Sequence, residues 1–189
     1  MNAIDVSLSR RTLLQSGAAF VVAFSLAEPG RLLAQAAGAD AKPPLIPTEM
    51  DSWLAFARDG TVTVFFGKID GGQGTDVAVG QMVAEELDVA PAHVTVVMGD
   101  TGRTINQGGA SGSTGVRLGG VTLRNAAAEA RRILLSRAAA QWNVAPERLT
   151  VRDGVIAVPG DASKTMTYAA LIGGRYFHET IDSNNELGN

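Results

Sequence analysis

Two short glycine-rich segments hold the residues of this sequence best suited to gripping a ligand. They are Gly72-Gln73-Gly74-Thr75 and Gly109-Ala110-Ser111-Gly112-Ser113-Thr114. Glycine lets a backbone approach a bound molecule closely, and each segment leads into a helical pattern whose free N–H groups favour an anion. Gln73 adds donors and an acceptor that suit an amide-like or pterin-like edge. Ala110, Ser111, Gly112, Ser113 and Thr114 combine small side chains with three hydroxyls, a cradle of the kind phosphates favour. Neither segment is a better-known phosphate motif, because no lysine follows as in a P-loop and the GxGxxG spacing is not met. A plain strand-to-helix connection accounts for either loop taken alone. Two such loops, both feeding helix N-termini, point to one shared anionic ligand.

Other chemistry is thinner. Glu85 and Glu86 are adjacent, and adjacent helix residues point about 100° apart, so they do not converge on one substrate atom. The chain has no cysteine, which excludes disulfides, thiolate zinc sites and any iron–sulfur cluster held by this chain alone. His93 and His178 are its two histidines, far apart and without a second ligand at metal-binding spacing. His93, after Pro91, reads as a half-exposed structural residue.

The loops need elements to hold them. Trp53 to Phe56 and Thr61 to Phe66 are apolar runs joined by Arg58-Asp59-Gly60, a strong hairpin signal. A helix is expected over Thr75 to Leu87, with Val79, Met82, Val83 and Glu86 at helical spacing and Thr75 or Asp76 as cap. Val94 to Met98 reads as a strand, and a second, alanine-rich helix runs from about Val116 to Trp142. Arg124, Arg131, Arg132 and Arg137 lie at helical spacing and read as a solvated face. Asp88-Val89-Ala90-Pro91 before Val94-Thr95-Val96 is echoed by Asn143-Val144-Ala145-Pro146 before Leu149-Thr150-Val151. The echo implies two helix-then-strand units within one α+β layer. Asp153-Gly154 turns the second strand into Val155 to Val158, and Tyr168 to Leu171 forms a short helix.

The ends add organisation. Arg10-Arg11 precedes the apolar run Leu13 to Leu26, and Ala34-Gln35-Ala36 supplies a small-residue cleavage site. Residues 1–36 therefore read as a twin-arginine signal peptide, and the protein is expected in the periplasm. Glu28, Pro29, Gly30 and Arg31 end the apolar run short of the about 20 residues a membrane span requires. Residues 37–50 read as a flexible linker, 51–181 as one domain and 182–189 as a polar tail. A net charge of −3 with scattered basic residues argues against a nucleic-acid surface.

Asp51-Ser52-Trp53-Leu54, the Asp59-Gly60 turn, Gly67-Lys68, Gly72-Gln73-Gly74, Ala84-Glu85-Glu86-Leu87, Val97-Met98-Gly99-Asp100-Thr101 and Gly108 to Thr114 carry a resemblance in their order. The sequence resembles the molybdopterin-binding large subunit of the xanthine dehydrogenase and aldehyde oxidase family, in its isoquinoline 1-oxidoreductase-like branch. That branch typically begins with a twin-arginine signal. The resemblance covers nearly all of the chain after its signal, and its fold implication is an N-terminal portion of a larger molybdopterin-binding domain. It implies that Gln73 with Gly72, Gly74 and Thr75 contacts a molybdenum–molybdopterin cofactor, the cytosine dinucleotide form included. Ala110, Ser111, Gly112, Ser113 and Thr114 would hold its pterin or phosphate end. Family members hydroxylate aldehydes or nitrogen heterocycles and pass electrons to a 2Fe–2S small subunit, in some cases with a cytochrome c subunit. They are several times longer, and their later segments carry another glycine-rich loop and the catalytic glutamate. No glutamate here matches that role, so no catalytic residue is assigned and the chain alone is expected to be inactive. The alternative is a non-catalytic periplasmic binding or interaction remnant of a truncated gene. A structural protein without a ligand would leave both loops unexplained.

Overall fold

Leu54, Val62, Val64 and Phe66 are fully buried and Phe56 nearly so, with Ala55 and Thr63 partly exposed between them, a period-two pattern that ends at Phe65, which is buried as well. In the computed structural model, which describes residues 44–173 and 176–181, they form β1 (Leu54–Phe56) and β2 (Val62–Phe66), antiparallel, with Leu54 opposite Val64. The expected signal segment 1–36 and polar tail 182–189 lie outside the described residues, as do residues 37–43 of the expected linker. Helix α1 (Thr75–Leu87) follows and buries Val79, Val83 and Leu87, one turn apart on one face. It returns the chain to β3 (Val94–Met98), which pairs in parallel with β2, Val62 opposite Val94 and Phe66 opposite Met98.

A π-helical turn (Gly115–Gly120) runs into α2 (Val121–Trp142). Five of the eight buried residues of α2 are alanines, and its buried face lies on α1 with little side-chain bulk between them. A second, antiparallel sheet follows in the order β4 (Thr150–Arg152), β5 (Val155–Val158) and β6 (Asp161–Thr167), and α3 (Tyr168–Ile172) closes it. One continuous core runs from Trp53 through both helices to Ile156, Tyr168 and Phe177.

The α+β fold and its two helix–strand units stand as expected. The echo is structural as well: Asp88 and Asn143 both end their helices in the left-handed conformation, with φ of 52° and 51°. Each is followed by a 3-10 turn opening on proline, Pro91–His93 and Pro146–Arg148. The two strands do not share a layer, however. β3 is drawn to β2 by its parallel register, whereas the Asp153-Gly154 turn folds β4 onto β5 in a separate sheet. Strand β6, largely polar, was not expected.

Two further expectations change. Three of the four arginines singled out on α2 are tethers, while Arg132 stays on the exposed face and pairs with Glu129 of its own helix. Arg124 pairs with Glu86 at 3.0 Å and Arg131 donates to the Glu86 carbonyl, which pins α2 to the end of α1. Arg137 bonds Glu179 at 2.6 Å and the Phe177 carbonyl at 2.9 Å. Residues 44–50, assigned by composition to a flexible linker, are held by specific bonds. The Ile46 N–H donates to Ser52 Oγ, and Trp53 Nε1 donates to the Pro47 carbonyl. Asp51, 2% exposed, accepts the N–H groups of Phe177 and His178 at 2.7 and 2.8 Å, while Glu49 bridges Thr180.

Candidate functional site

Strand β2 runs out at Phe66, and the next residues set both glycine-rich loops. Gly67 sits where a Cβ would lie 1.5 Å from the Ile105 carbonyl oxygen, so only glycine fits. Its N–H donates to Gln107 Oε1 at 2.8 Å. Lys68 is 5% exposed, and its ammonium donates to the Gly109 carbonyl at 2.9 Å.

The first loop folds around an acid. Asp70 accepts the N–H groups of Gly72, Gln73 and Thr75 at 2.7 to 2.8 Å. Positive φ at Gly72 (102°) and Gly74 (71°) wraps the backbone around that carboxylate. Burial raises the Asp70 pKa, but the three N–H bonds outweigh it and leave it below the ordinary aspartate value. Asp70 therefore caps the loop and α1, in place of Thr75 or Asp76. Gly74 is the N-cap and makes no side-chain cap bond.

This changes what the first loop offers. Three of its N–H groups, those of Gly72, Gln73 and Thr75, are spent on Asp70 and are not open to an anion. The Gly71 N–H donates to Gln73 Oε1 at 2.7 Å, which turns the amide carbonyl inward and leaves the Gln73 NH2 as the outward donor. Gly72, Gln73 and Gly74 are exposed. Thr75 is buried, and Gly115 lies so close that a Cβ there would be 3.4 Å from the Thr75 methyl.

The second loop keeps its donors. Among the described residues, the N–H groups of Ala110, Ser111, Gly112 and Ser113 have no acceptor. Ser111, Gly112 and Ser113 are exposed, and Ala110 and Thr114 are half-buried. Ser113 holds a φ of 60°, a strained value for a residue with a Cβ. The Thr114 hydroxyl is turned inward to the carbonyls of Gly109 and Ser111 at 3.0 and 2.8 Å, which leaves two of the three expected hydroxyls outward. The π turn that follows brings Gly119 against Phe66, where a Cβ would be 2.7 Å from the ring.

The structure thus gathers the nine sequence-predicted residues at one end of two packed helices, joined by the Thr75–Gly115 contact. Lys68 and Asp70 are the residues that loop composition did not single out. Burial of a lysine cannot be read from Gly-Lys alone. Asp70, though, stands two residues before the first glycine of positive φ, a usual place for a side chain that caps its own turn. His93 is exposed rather than half-buried. Among the described residues, no three His, Asp or Glu side chains cluster as metal ligands, and no helix is long and apolar enough to cross a membrane.

Residues 17–186 match the family model of the molybdopterin cofactor-binding domain. The chain belongs to this family. One of the subunits of nicotinate dehydrogenase from Pseudomonas putida is 38% identical over 133 residues, 70% of this chain and 11% of that protein. The beta subunit of isoquinoline 1-oxidoreductase from Brevundimonas diminuta is 30% identical over 176 residues, 88% of this chain and 22% of that protein. The chain therefore spans under a quarter of the length of either curated relative. The solved quinoline 2-oxidoreductase of Pseudomonas putida 86 superposes on 64% of this chain and 15% of its own, with a TM-score of 0.55 and 28% identity. The two curated relatives are named as subunits, so this molybdopterin-binding chain is similar to components of multi-subunit enzymes.

The donor set fits such a cofactor. Four free backbone N–H groups and two hydroxyls suit phosphate or pterin oxygens, and the Gln73 NH2 suits an acceptor on the cofactor's edge.

Proposed function

We propose that this chain supplies two cofactor-holding loops of a molybdenum hydroxylase that oxidises aldehydes or nitrogen heterocycles. The observation that supports it is the meeting of an amide-presenting loop and an N–H-presenting loop at the N-terminal ends of two packed helices. Gln73, displayed by Gly72 and Gly74, donates to the cofactor's edge. Ala110, Ser111, Gly112 and Ser113 donate to its pterin or phosphate oxygens. Thr75 and Thr114 act inward, the first joining the loops and the second shaping its own. When bound, the molybdenum cofactor, in its dinucleotide form, supplies two-electron oxidation with transfer of a water-derived oxygen. The chain itself binds, orients and partly encloses the cofactor, and alone it turns over no substrate. Electrons leave through a 2Fe–2S subunit and a cytochrome c subunit.

The same reading places the protein in the periplasm. Arg10-Arg11 tags folded cargo for export, which is the route needed by a protein whose cofactor is inserted in the cytoplasm.

Bound molybdenum, measured after co-expression with the remainder of a relative's large subunit, tests the cofactor site. Gln73→Ala, and Ser111→Ala combined with Ser113→Ala, should each lower it. Hydrogen bonds to charged groups contribute about 1.5–3 kcal/mol each, enough for a visible loss. Unchanged molybdenum in both variants overturns this placement.

A further inference from the structure

We infer that Lys68 is the positioning residue that couples the two loops, setting the second loop and the outward direction of its N–H donors relative to the first. The inference rests on the cofactor reading above for its functional meaning, while its geometry stands on the structure.

A lysine that is 5% exposed is uncommon, because an ammonium loses its hydration on burial and must be repaid by partners. Among the described residues no carboxylate lies within ion-pair distance of it. Its partner is the Gly109 carbonyl, at 2.9 Å. That choice has a directional consequence. In a trans peptide the carbonyl and the following N–H point in opposite directions. Drawing the Gly109 oxygen inward onto Lys68 therefore turns the Ala110 N–H outward, away from Lys68. The Thr114 hydroxyl reaches the same oxygen from within the loop, at 3.0 Å.

Lys68 also sits at a junction. It lies two residues before Asp70, which organises the first loop through three N–H bonds. Its stem passes so close to the π turn that a Cβ on Gly119 would be 3.0 Å from Lys68 Cδ. The neighbouring Gly67 N–H holds Gln107. One dipeptide therefore grips the second loop before, at and after its glycines, while its own chain continues into the first. A cleft of about 170 Å³, with Lys68, Gln107 and Gly119 in its wall, lies beside this junction.

Two readouts on the full chain test the inference, the 15N relaxation of residues 109–113 and the affinity for inorganic pyrophosphate. In the wild type these amides should have order parameters of about 0.85, and Lys68→Met should lower them below about 0.6 while α1 stays rigid. Pyrophosphate affinity should fall at least about tenfold, as expected for loss of a charged hydrogen bond's influence. The chain has no native cysteine, so Lys68→Cys can be alkylated selectively with 2-bromoethylamine in denaturant and refolded, which rebuilds an ammonium at nearly the same reach. Recovery of loop rigidity and affinity supports the inference. A rigid loop in Lys68→Met, or a loop that stays mobile after aminoethylation of a refolded chain, overturns it. Should Lys68→Met fail to fold, the refolded aminoethylated chain decides alone. If the wild type binds no pyrophosphate yet loop rigidity follows the ammonium, the coupling stands and the result counts against the cofactor reading.

Discussion

Gly67→Ala is the sharpest structural test of how the two loops are joined. The added methyl would sit 1.5 Å from the Ile105 carbonyl oxygen, where real contacts stay above 3.0 Å. The obstacle is backbone, not the tip of a flexible side chain, so the 105–107 segment must retreat by at least 1.5 Å. That retreat also breaks the 2.8 Å bond from the Gly67 N–H to Gln107. Overpacking contributes about 1–3 kcal/mol of destabilisation and the lost hydrogen bond about 1 kcal/mol. A loss of about 3 kcal/mol lowers the melting temperature of a domain this size by on the order of 10 °C. Far-ultraviolet circular dichroism on heating measures it. Gly60→Ala is the control: Gly60 has a φ of 90° with open space around its Cβ position, so it carries strain without collision. A Gly67→Ala melting temperature within about 2 °C of wild type, or a Gly60→Ala loss as large as that of Gly67→Ala, refutes the close-approach reasoning.

Two predictions concern protons. The Asp70 carboxylate is held below its ordinary value of 3.8, so its contribution is present above the unfolded pKa and lost as pH falls through the lower folded one. Amide shifts of Gly72, Gln73 and Thr75 should share one titration with a midpoint under 3.8, and a midpoint at or above it would contradict the capping role. The buried Tyr168 hydroxyl donates to the Leu87 carbonyl at 3.0 Å, and burial pushes its pKa above the usual 10.0. Its neutral form is the one the fold holds, so stability is full below pH 10.0 and declines as pH rises beyond it. Tyr168→Phe should cost about 1 kcal/mol at neutral pH and remove that alkaline decline, as urea midpoints at about pH 7 and above would show.

Local signals made much of the fold legible. Asp59-Gly60 and Asp153-Gly154 supply the positive φ that hairpins need, so both hairpins appear where the sequence places them. Apolar spacing marked α1 and α2, and the repeated Val-Ala-Pro marked two helix ends, at Asp88 and Asn143, that share a left-handed conformation. What was illegible depends on partners distant in sequence. β6 reads Asp161-Ala162-Ser163-Lys164-Thr165-Met166-Thr167, which has no apolar alternation, and only its register with β5 makes it a strand. Separation of the two sheets follows from which strand β3 finds, a choice that local pattern does not encode. Arg124 and Arg137 look solvated until Glu86 and Glu179 are seen opposite them.

At the candidate site, glycine and hydroxyl composition located both loops but not their division of labour. Asp70 consumes three N–H groups of the first loop through bonds at two, three and five residues' separation, and Gln73 turns its own oxygen onto Gly71. Lys68 meets its partner forty-one residues away, beyond the reach of any sequence window.

The bonds from Phe177 and His178 to Asp51 close across 126 and 127 residues. Chains emerge from the ribosome in order, at about 5–20 residues per second. Every residue of both loops, of Lys68 and of the turn ending at Gly120 is therefore synthesised before the closing segment exists. During that interval β2, α1, β3 and the start of α2 can assemble through shorter-range contacts, while long closures come late because their entropy must be offset first. The loop-bearing end is thus an early product of biosynthesis and the Asp51 closure a late one. Between them lies a period in which the loops are formed but the unit is not yet locked.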